Sequence, residues 1–256
     1  MELNVAIVQT DIEWGNIDAN IKAADVIVRQ LQGCDLVVFP EMFTTGFMVT
    51  GNPIGEDANS GLGITWMRDA ATARGMAIAG TVIVKDADKL YNRFIFTHPE
   101  GRIDMYDKRH LFSYSSEDRL YVHGDKRVVI NYKDFNILPQ ICYDLRFPVW
   151  SRNRNDYDLA IYAASWPQSR INVWDTLLRA RAIENQCYVV GVNRTGDDPS
   201  AHYNGHSVAV DFYGNTIATL PDDKPGVINV RLNKDKLYKY RNKFRAWADA
   251  DEFDIL

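Results

Sequence analysis

The stretch Phe135-Asn-Ile-Leu-Pro-Gln-Ile-Cys142-Tyr-Asp-Leu-Arg-Phe-Pro148 runs apolar up to a cysteine and then turns abruptly polar. Phe135, Ile137, Leu138 and Ile141 read as a buried strand, and Tyr143 to Arg146 followed by Trp150 to Arg154 read as the start of a helix. Cys142 therefore stands at a strand-to-helix elbow. Such a turn lifts a side chain out of the sheet and leaves the next backbone N–H, that of Tyr143, free to face a developing oxyanion. Free cysteine is among the most buried residue types, so a lone thiol reads first as packing. The rest of the chain shifts that reading.

Downstream, Leu159 to Ser165 is a second fully apolar strand and ends in Trp166-Pro167-Gln-Ser-Arg170. The spacing predicts a helix over Val173 to Asn185, then strands over Tyr188 to Asn193, Ser207 to Phe212 and Val227 to Leu232, with Asp211-Phe-Tyr-Gly214 as a hairpin turn. Upstream, Val5 to Thr10 is a strand. Ile17, Ile21, Ala24, Val28 and Leu31 step by three and four, the pattern of an amphipathic helix with Asn16 or Asp18 as cap and Gly33 at its end. Asp35 to Glu41 is apolar on both faces, as in a doubly covered sheet, with Glu41 as its terminal residue. A helix over Ile64 to Arg74, a strand over Ala77 to Val84, a hairpin of Arg93 to His98 with Arg102 to Lys108, and a strand over Val128 to Tyr132 complete the set. About ten strands interleaved with roughly four or five helices predict an α/β protein with sheets covered by helices, a four-layer α/β/β/α sandwich.

The chain has 256 residues, 46% hydrophobic, enough for one large core; a single domain over 1–256 is expected. The segment 234–256, with Tyr238, Tyr240, Phe244 and Trp247, suits an arm for subunit contact. Net charge is −5 and the basic residues are scattered, so nothing marks nucleic acid or an anionic membrane as partner, and a small solute fits better. No apolar run reaches the ~20 residues of a spanning helix, and Met1-Glu-Leu-Asn-Val-Ala lacks the form of a signal peptide, which predicts a cytoplasmic location. Cys34, Cys142 and Cys187 are an odd number at wide spacings, with no disulfide framework and no Cys-x-x-Cys metal pair.

Ligands of open α/β sheets bind outside the carboxyl ends of the strands. Glu41, Cys142, Trp166 and Asn193 all end apolar runs, whereas Cys34 and Cys187 precede theirs. A thiol needs a base or a cation to become a nucleophile. None of the histidines, His98, His110, His123, His202 and His206, is constrained to lie near Cys142, and His202-Tyr-Asn-Gly-His206 fails as a helical metal pair. Glu41, desolvated at a strand end, suits a base. It also reads as a solvated carboxylate, and Lys108 as a surface charge.

Phe39-Pro-Glu41-Met-Phe-Thr-Thr-Gly46, Tyr106-Asp-Lys108-Arg-His-Leu-Phe112 and Gln140-Ile-Cys142-Tyr-Asp-Leu-Arg146-Phe-Pro148 resemble, in order and spacing, the three signature blocks of the nitrilase (carbon–nitrogen hydrolase) superfamily. The resemblance extends through Ala164-Ser-Trp166-Pro167, Arg179 to Asn185 and Val192-Asn193-Arg194. It implies a Glu–Lys–Cys triad at Glu41, Lys108 and Cys142, a second glutamate at Glu117, the α/β/β/α sandwich, and homodimers formed through the elbow region. No cofactor or metal is called for. Phe212 stands where many relatives have proline, in a turn remote from the triad.

Within the superfamily, Pro-Glu-Met-Phe-Thr-Thr-Gly-Phe and the Ser-Trp-Pro…Arg170 stretch look most like omega-amidases, which hydrolyse the terminal amide of 2-oxoglutaramate or 2-oxosuccinamate. Such a substrate brings a carboxylate, for which Arg146 or Arg170, just past two rim residues, is the expected partner. Tyr143 and Trp166 complete the expected binding set. The alternatives are a nitrilase proper, a carbamoylase or a broad aliphatic amidase, and from another class a metabolite-binding module that keeps only the fold.

Overall fold

The computed structural model describes residues 1–255; Leu256, the last residue of the expected arm, lies outside them. Alternation along each central strand sets the layering. In Glu2–Gln9, Leu3, Val5 and Ile7 enter one core while Ala6 and Val8 enter another. Leu36 and Val38 likewise part from Val37, and Ala77 and Ala79 from Ile78. A strand apolar on both faces is thus shared between two cores, as the period of two requires.

The first sheet runs Gly226–Asn233, Glu2–Gln9, Leu36–Val38, Ala77–Asp86, Lys89–Thr97, Ile103–Asp107, and the short Glu56–Asp57 also pairs with Ala77–Asp86. Its outer face lies under the helices Ile17–Gln30 and Leu62–Arg74 through Ala24, Val28, Ile64, Met67 and Ala71. The second sheet runs Thr216–Thr219, Val208–Val210, Tyr188–Asn193, Leu159–Ala164, Phe135–Ile141, Ile130–Tyr132. Phe135–Ile141, Leu159–Ala164 and Tyr188–Asn193 are parallel to one another. The helix Ile171–Asn185 covers this sheet through Trp174, Leu178 and Ala182. It packs so close that a Cβ on Gly191 would stand 2.5 Å from Leu178 Cδ1. The inner faces of the two sheets share one core, which completes the α/β/β/α sandwich.

Several boundaries differ from expectation. The Ile17–Gln30 helix is capped by Asn16, whose side chain accepts from Ala19 N, but it ends at Leu31, two residues before Gly33. The strand expected to end on Glu41 stops at Val38, and Glu41 follows Pro40 into a turn. The elbow carries two short turns, Cys142–Arg146 and Pro148–Ser151, in place of one helix reaching Arg154. Phe147, which precedes a proline, leaves the helical region at ψ 84° and separates them. Among the described residues fifteen strands form where about ten were expected, because Glu56–Asp57, Thr195–Asp197, His202–Asn204 and Thr216–Thr219 are too short to show a period. The expected Ser207 to Phe212 strand is confined to Val208–Val210.

The C-terminal segment begins as the helix Lys234–Lys243, docked by buried Leu237 and by Arg241, which donates to Asp158 Oδ1 at 3.1 Å, Gln186 O at 2.8 Å and Tyr157 O at 2.6 Å. Among the described residues, no helix is long and apolar enough to cross a membrane.

Candidate active site

The Phe135–Ile141 strand delivers Cys142 in a left-handed conformation, φ 41°. That backbone costs a non-glycine residue of order 1–3 kcal/mol and persists only where its surroundings hold it. Asp144 is the main holder: its Oδ2 accepts from Ile141 N at 3.0 Å and Tyr106 OH at 2.8 Å, and its Oδ1 accepts from His110 N at 3.0 Å. Arg181 Nη2 donates to Leu145 O at 2.6 Å from the covering helix. The elbow is therefore tied to the Tyr106–His110 segment, which carries Lys108.

Glu41 bridges the two sheets. Its Oε2 accepts from Ser165 N at 2.8 Å, just past the Leu159–Ala164 strand. Lys108 Nζ donates to Glu41 Oε1 at 2.8 Å and to Glu117 Oε1 and Oε2 at 3.0 and 2.9 Å. Glu117 opens a short helix after Ser116, a residue at φ 66°, and its Oε2 also accepts from Phe112 N at 2.6 Å. Glu41, Lys108 and Glu117 are all 0% exposed. Cys142 is also buried, with Sγ 3.9 Å from Ser165 O. Glu41 and Lys108 are thus neither solvated nor at the surface.

Two carboxylates share one ammonium here, in a place closed to water. Burial opposes the charge on Lys108, but Glu117 and Glu41 outweigh it and hold the ammonium well above the usual lysine range. Burial lifts the Glu117 carboxyl above its ordinary value, against the pull of Lys108. Burial, then the negative charge of Glu41, lifts the Cys142 thiol well above its ordinary value, with Lys108 opposing. A thiol in this setting rests protonated. Attack on a carbonyl requires that its proton be taken in the same event, so the arrangement supports general-base-assisted nucleophilic chemistry.

The cleft that ends on this thiol is lined by Phe112, Tyr143, Arg146, Ser165, Trp166, Pro167 and Arg170. All four residues expected to bind substrate are therefore brought together. The Arg146 guanidinium lies 5.2 Å from the Trp166 ring and that of Arg170 5.2 Å from the Phe112 ring. Trp166 is clamped by Asn193, whose Oδ1 accepts from Trp166 N at 2.7 Å and whose Nδ2 donates to Trp166 O at 2.9 Å. Trp166 Nε1 in turn donates to Arg170 O at 2.9 Å. Tyr143 is the second residue of the Cys142–Arg146 turn, so its N–H has no partner within that turn.

Sequence reasoning assigned no role to Asn92, whose Nδ2 donates to Glu41 Oε1 at 2.7 Å and Glu117 Oε1 at 3.1 Å, nor to Asp144, Ser165 or Phe112. The histidines have other partners: His98 meets Asp104, His110 meets Asp144, His202 meets Asp197 and Asp223, His206 meets Asp175, and His123 meets Gly124 O. Among the described residues, no group of three or more His, Cys, Asp and Glu is placed to hold a metal ion.

The carbon–nitrogen hydrolase family pattern matches residues 4–242. The chain is 42% identical over 257 residues to the omega-amidase YafV of Yersinia enterocolitica, covering 99% of each. It is 32% identical over 254 residues to the 2-oxoglutaramate amidase of Bacillus subtilis, covering 97% of this chain and 98% of that one. Its structure matches that of a CN-hydrolase superfamily protein of Xanthomonas campestris, which carries an arsenic adduct in its active site, with a TM-score of 0.96, 36% identity and 100% coverage of both chains.

Proposed function

The chain belongs to the carbon–nitrogen hydrolase family and hydrolyses amides, and from that premise we propose that it acts as an omega-amidase on a short linear mono-amide bearing a carboxylate, 2-oxoglutaramate or 2-oxosuccinamate. One observation carries the choice of substrate. The cleft leading to Cys142 presents the guanidiniums of Arg146 and Arg170, and neither has a carboxylate within ion-pair distance among the described residues. Each lies against an aromatic ring instead, which leaves its planar fork of N–H donors free for an incoming carboxylate.

In this reading Glu41 takes the Cys142 proton as sulfur attacks the amide carbon. Lys108 Nζ and the Tyr143 N–H donate to the oxyanion that forms. An oxyanion donor of this kind contributes about 2.7–4 kcal/mol when well placed. Collapse breaks the C–N bond; Glu41 returns the proton to nitrogen and ammonia leaves a thioester on Cys142. Water then adds to the thioester, giving a proton to Glu41, and the second collapse expels the thiolate, which recovers that proton. Glu117 keeps Lys108 aimed at the oxyanion throughout.

Ammonia release from 2-oxoglutaramate and 2-oxosuccinamate by the native protein and by Cys142→Ala tests the reading. Turnover by the native protein alone is expected. Equal turnover by Cys142→Ala would remove the nucleophile from the scheme, and silence of the native protein toward both amides would remove the substrate class.

The same reading takes residues 1–256 as one domain working as a homodimer in the cytoplasm, where the thiol stays reduced. Exposed Tyr213, Tyr238, Phe244 and Ile183 support a subunit contact near the C-terminal helix. Light scattering on the eluting protein tests the dimer, and a monomer at micromolar concentration would overturn it.

A further inference from the structure

We infer that Asn92 is a positioning residue for the carboxylate pair Glu41 and Glu117, an assignment that rests on Glu41 serving as the base. Asn92 lies fully buried within the Lys89–Thr97 strand, opposite Ile83. Met42 N donates to Thr81 Oγ1 at 2.7 Å, so the hydroxyl oxygen of Thr81 is occupied as an acceptor and its one proton is left for Asn92 Oδ1, 3.0 Å away. That contact fixes which way the amide faces. The Nδ2 group must point at the carboxylates, where it donates to Glu41 Oε1 at 2.7 Å and to Glu117 Oε1 at 3.1 Å. The backbone oxygen of Asn92 accepts from Lys108 N at 3.0 Å, so the same residue sets where the ammonium's side chain begins.

With Glu41 and Glu117 ionised, Lys108 leaves one negative charge uncompensated. A buried charge of that kind persists only if donors surround it. Ser165 N serves Glu41 and Phe112 N serves Glu117, but Asn92 is, besides Lys108, the group that serves both carboxylates at once. Hydrogen bonds to the charged form favour ionisation. They also hold Glu41 by Oε1 and leave Oε2 on the Ser165 side, where the thiol lies. The titratable groups that face this pair are Lys108, Cys142 and Tyr121, and Tyr121 gives its own proton to Met48 O.

Asn92→Ala and Asn92→Asp, assayed for ammonia release across pH, test the inference. Both are expected to lower kcat about 10–100-fold, by analogy with the loss of an outer partner that orients a metal ligand, with KM within twofold of native. Removing a donor to the charged carboxylates disfavours that form, so the acid limb of the kcat–pH profile moves to higher pH. Asn92→Asp, isosteric and leaving no cavity, moves it further because it adds an acid beside two others. Thr81→Val removes the hydroxyl that orients the amide and shifts the limb in the same direction by less; it reads the effect if the Asn92 variants fail to fold. A native acid limb in Asn92→Asp, or a higher KM at native kcat, overturns the inference. Glu41→Gln in the same assay separates the two readings: if it turns over at the native rate, the base assignment fails and takes the inference with it. If Glu41→Gln is inactive while the Asn92 and Thr81 variants behave as native, only the role of Asn92 fails.

Discussion

Glu41 Oε1 and Lys108 Nζ lie 2.8 Å apart with neither side chain exposed, although the strands that deliver them, Leu36–Val38 and Ile103–Asp107, are separated in the sheet by two others. The gap is spanned because both residues lie beyond the ends of their strands, and because Asn92 on one of the intervening strands fills the space between the carboxylates.

Lys108→Met removes the only cation of this cluster while keeping most of its apolar stem. Breaking a buried ion pair from one side costs about 3–5 kcal/mol. Two carboxylates left together must then share a proton, and the Glu117 carboxyl, already raised by burial, loses the cation that held it down and rises further. A raised carboxyl pKa gives stability that is present at low pH and lost as pH climbs past the ordinary glutamate value. The variant should therefore release no measurable ammonia and should melt lower than native by a margin that widens from pH 5 to pH 8. Calorimetry at the two pH values checks this, and an unchanged margin would show that Glu41 and Glu117 do not interact as charges.

Under the proposed function, Arg146 and Arg170 share the task of holding the substrate carboxylate. A hydrogen bond to a charged group contributes about 1.5–3 kcal/mol, or roughly 10–150-fold in an equilibrium constant. Arg170→Ala is expected to raise KM for 2-oxosuccinamate within that range, and Arg146→Ala by a smaller factor, with kcat for a neutral aliphatic amide unchanged in both. Steady-state kinetics with the charged and neutral amides in parallel check it. Equal losses on both amides would mean that the arginines shape the cleft and do not read charge.

Position relative to strand ends made Cys142 and Glu41 legible, since both follow apolar runs and the other two thiols do not. Glu117 was legible only through resemblance: Ser116-Glu117-Asp118 has no local pattern, and the glutamate is turned inward by the φ 66° of Ser116. Asn92 gave no signal because its function depends on register. Pairing of Thr81 with Phe94, and of the neighbouring Ile83 with Asn92, brings a threonine hydroxyl within reach of a mid-strand amide, and no single strand carries that information. The four-layer fold was readable from strands apolar on both faces. The elbow's polar run suggests a continuous helix, but Pro148 pushes Phe147 out of the helical region and divides it into two short turns.

Glu56 offers a second pH-linked test, away from the thiol. It is 5% exposed and holds the Thr44 to Gly63 loop by accepting from Thr44 Oγ1 at 2.8 Å and Gly63 N at 2.5 Å. Burial raises its pKa despite these donors. The unfolded chain thus loses this proton first as pH rises, and the contribution of Glu56 to stability falls between the ordinary glutamate value and its own raised value. Glu56→Gln keeps the shape and an acceptor for Gly63 N but does not titrate. Relative to native protein it should gain stability from pH 4 to pH 7, read as the difference between two melting curves; parallel curves would place Glu56 in a well-solvated setting.

Cys142 sits at φ 41°, and strain there separates two inactive variants. In ordinary helix or strand, replacing alanine by glycine costs roughly 0.5–1 kcal/mol through lost backbone order in the unfolded chain. In the left-handed region the sign reverses, because an alanine Cβ meets its own backbone while glycine does not. Cys142→Ala and Cys142→Gly both lack the nucleophile and should release no ammonia. Cys142→Gly should nonetheless melt no lower than Cys142→Ala, since the relief of backbone strain offsets the entropy it adds to the unfolded state. A glycine variant melting lower by the ordinary increment would mean that the elbow carries no strain at Cys142. The bonds from Asp144 to Ile141 N, Tyr106 OH and His110 N would then serve to fix the direction of the thiol and would have no strained backbone to hold.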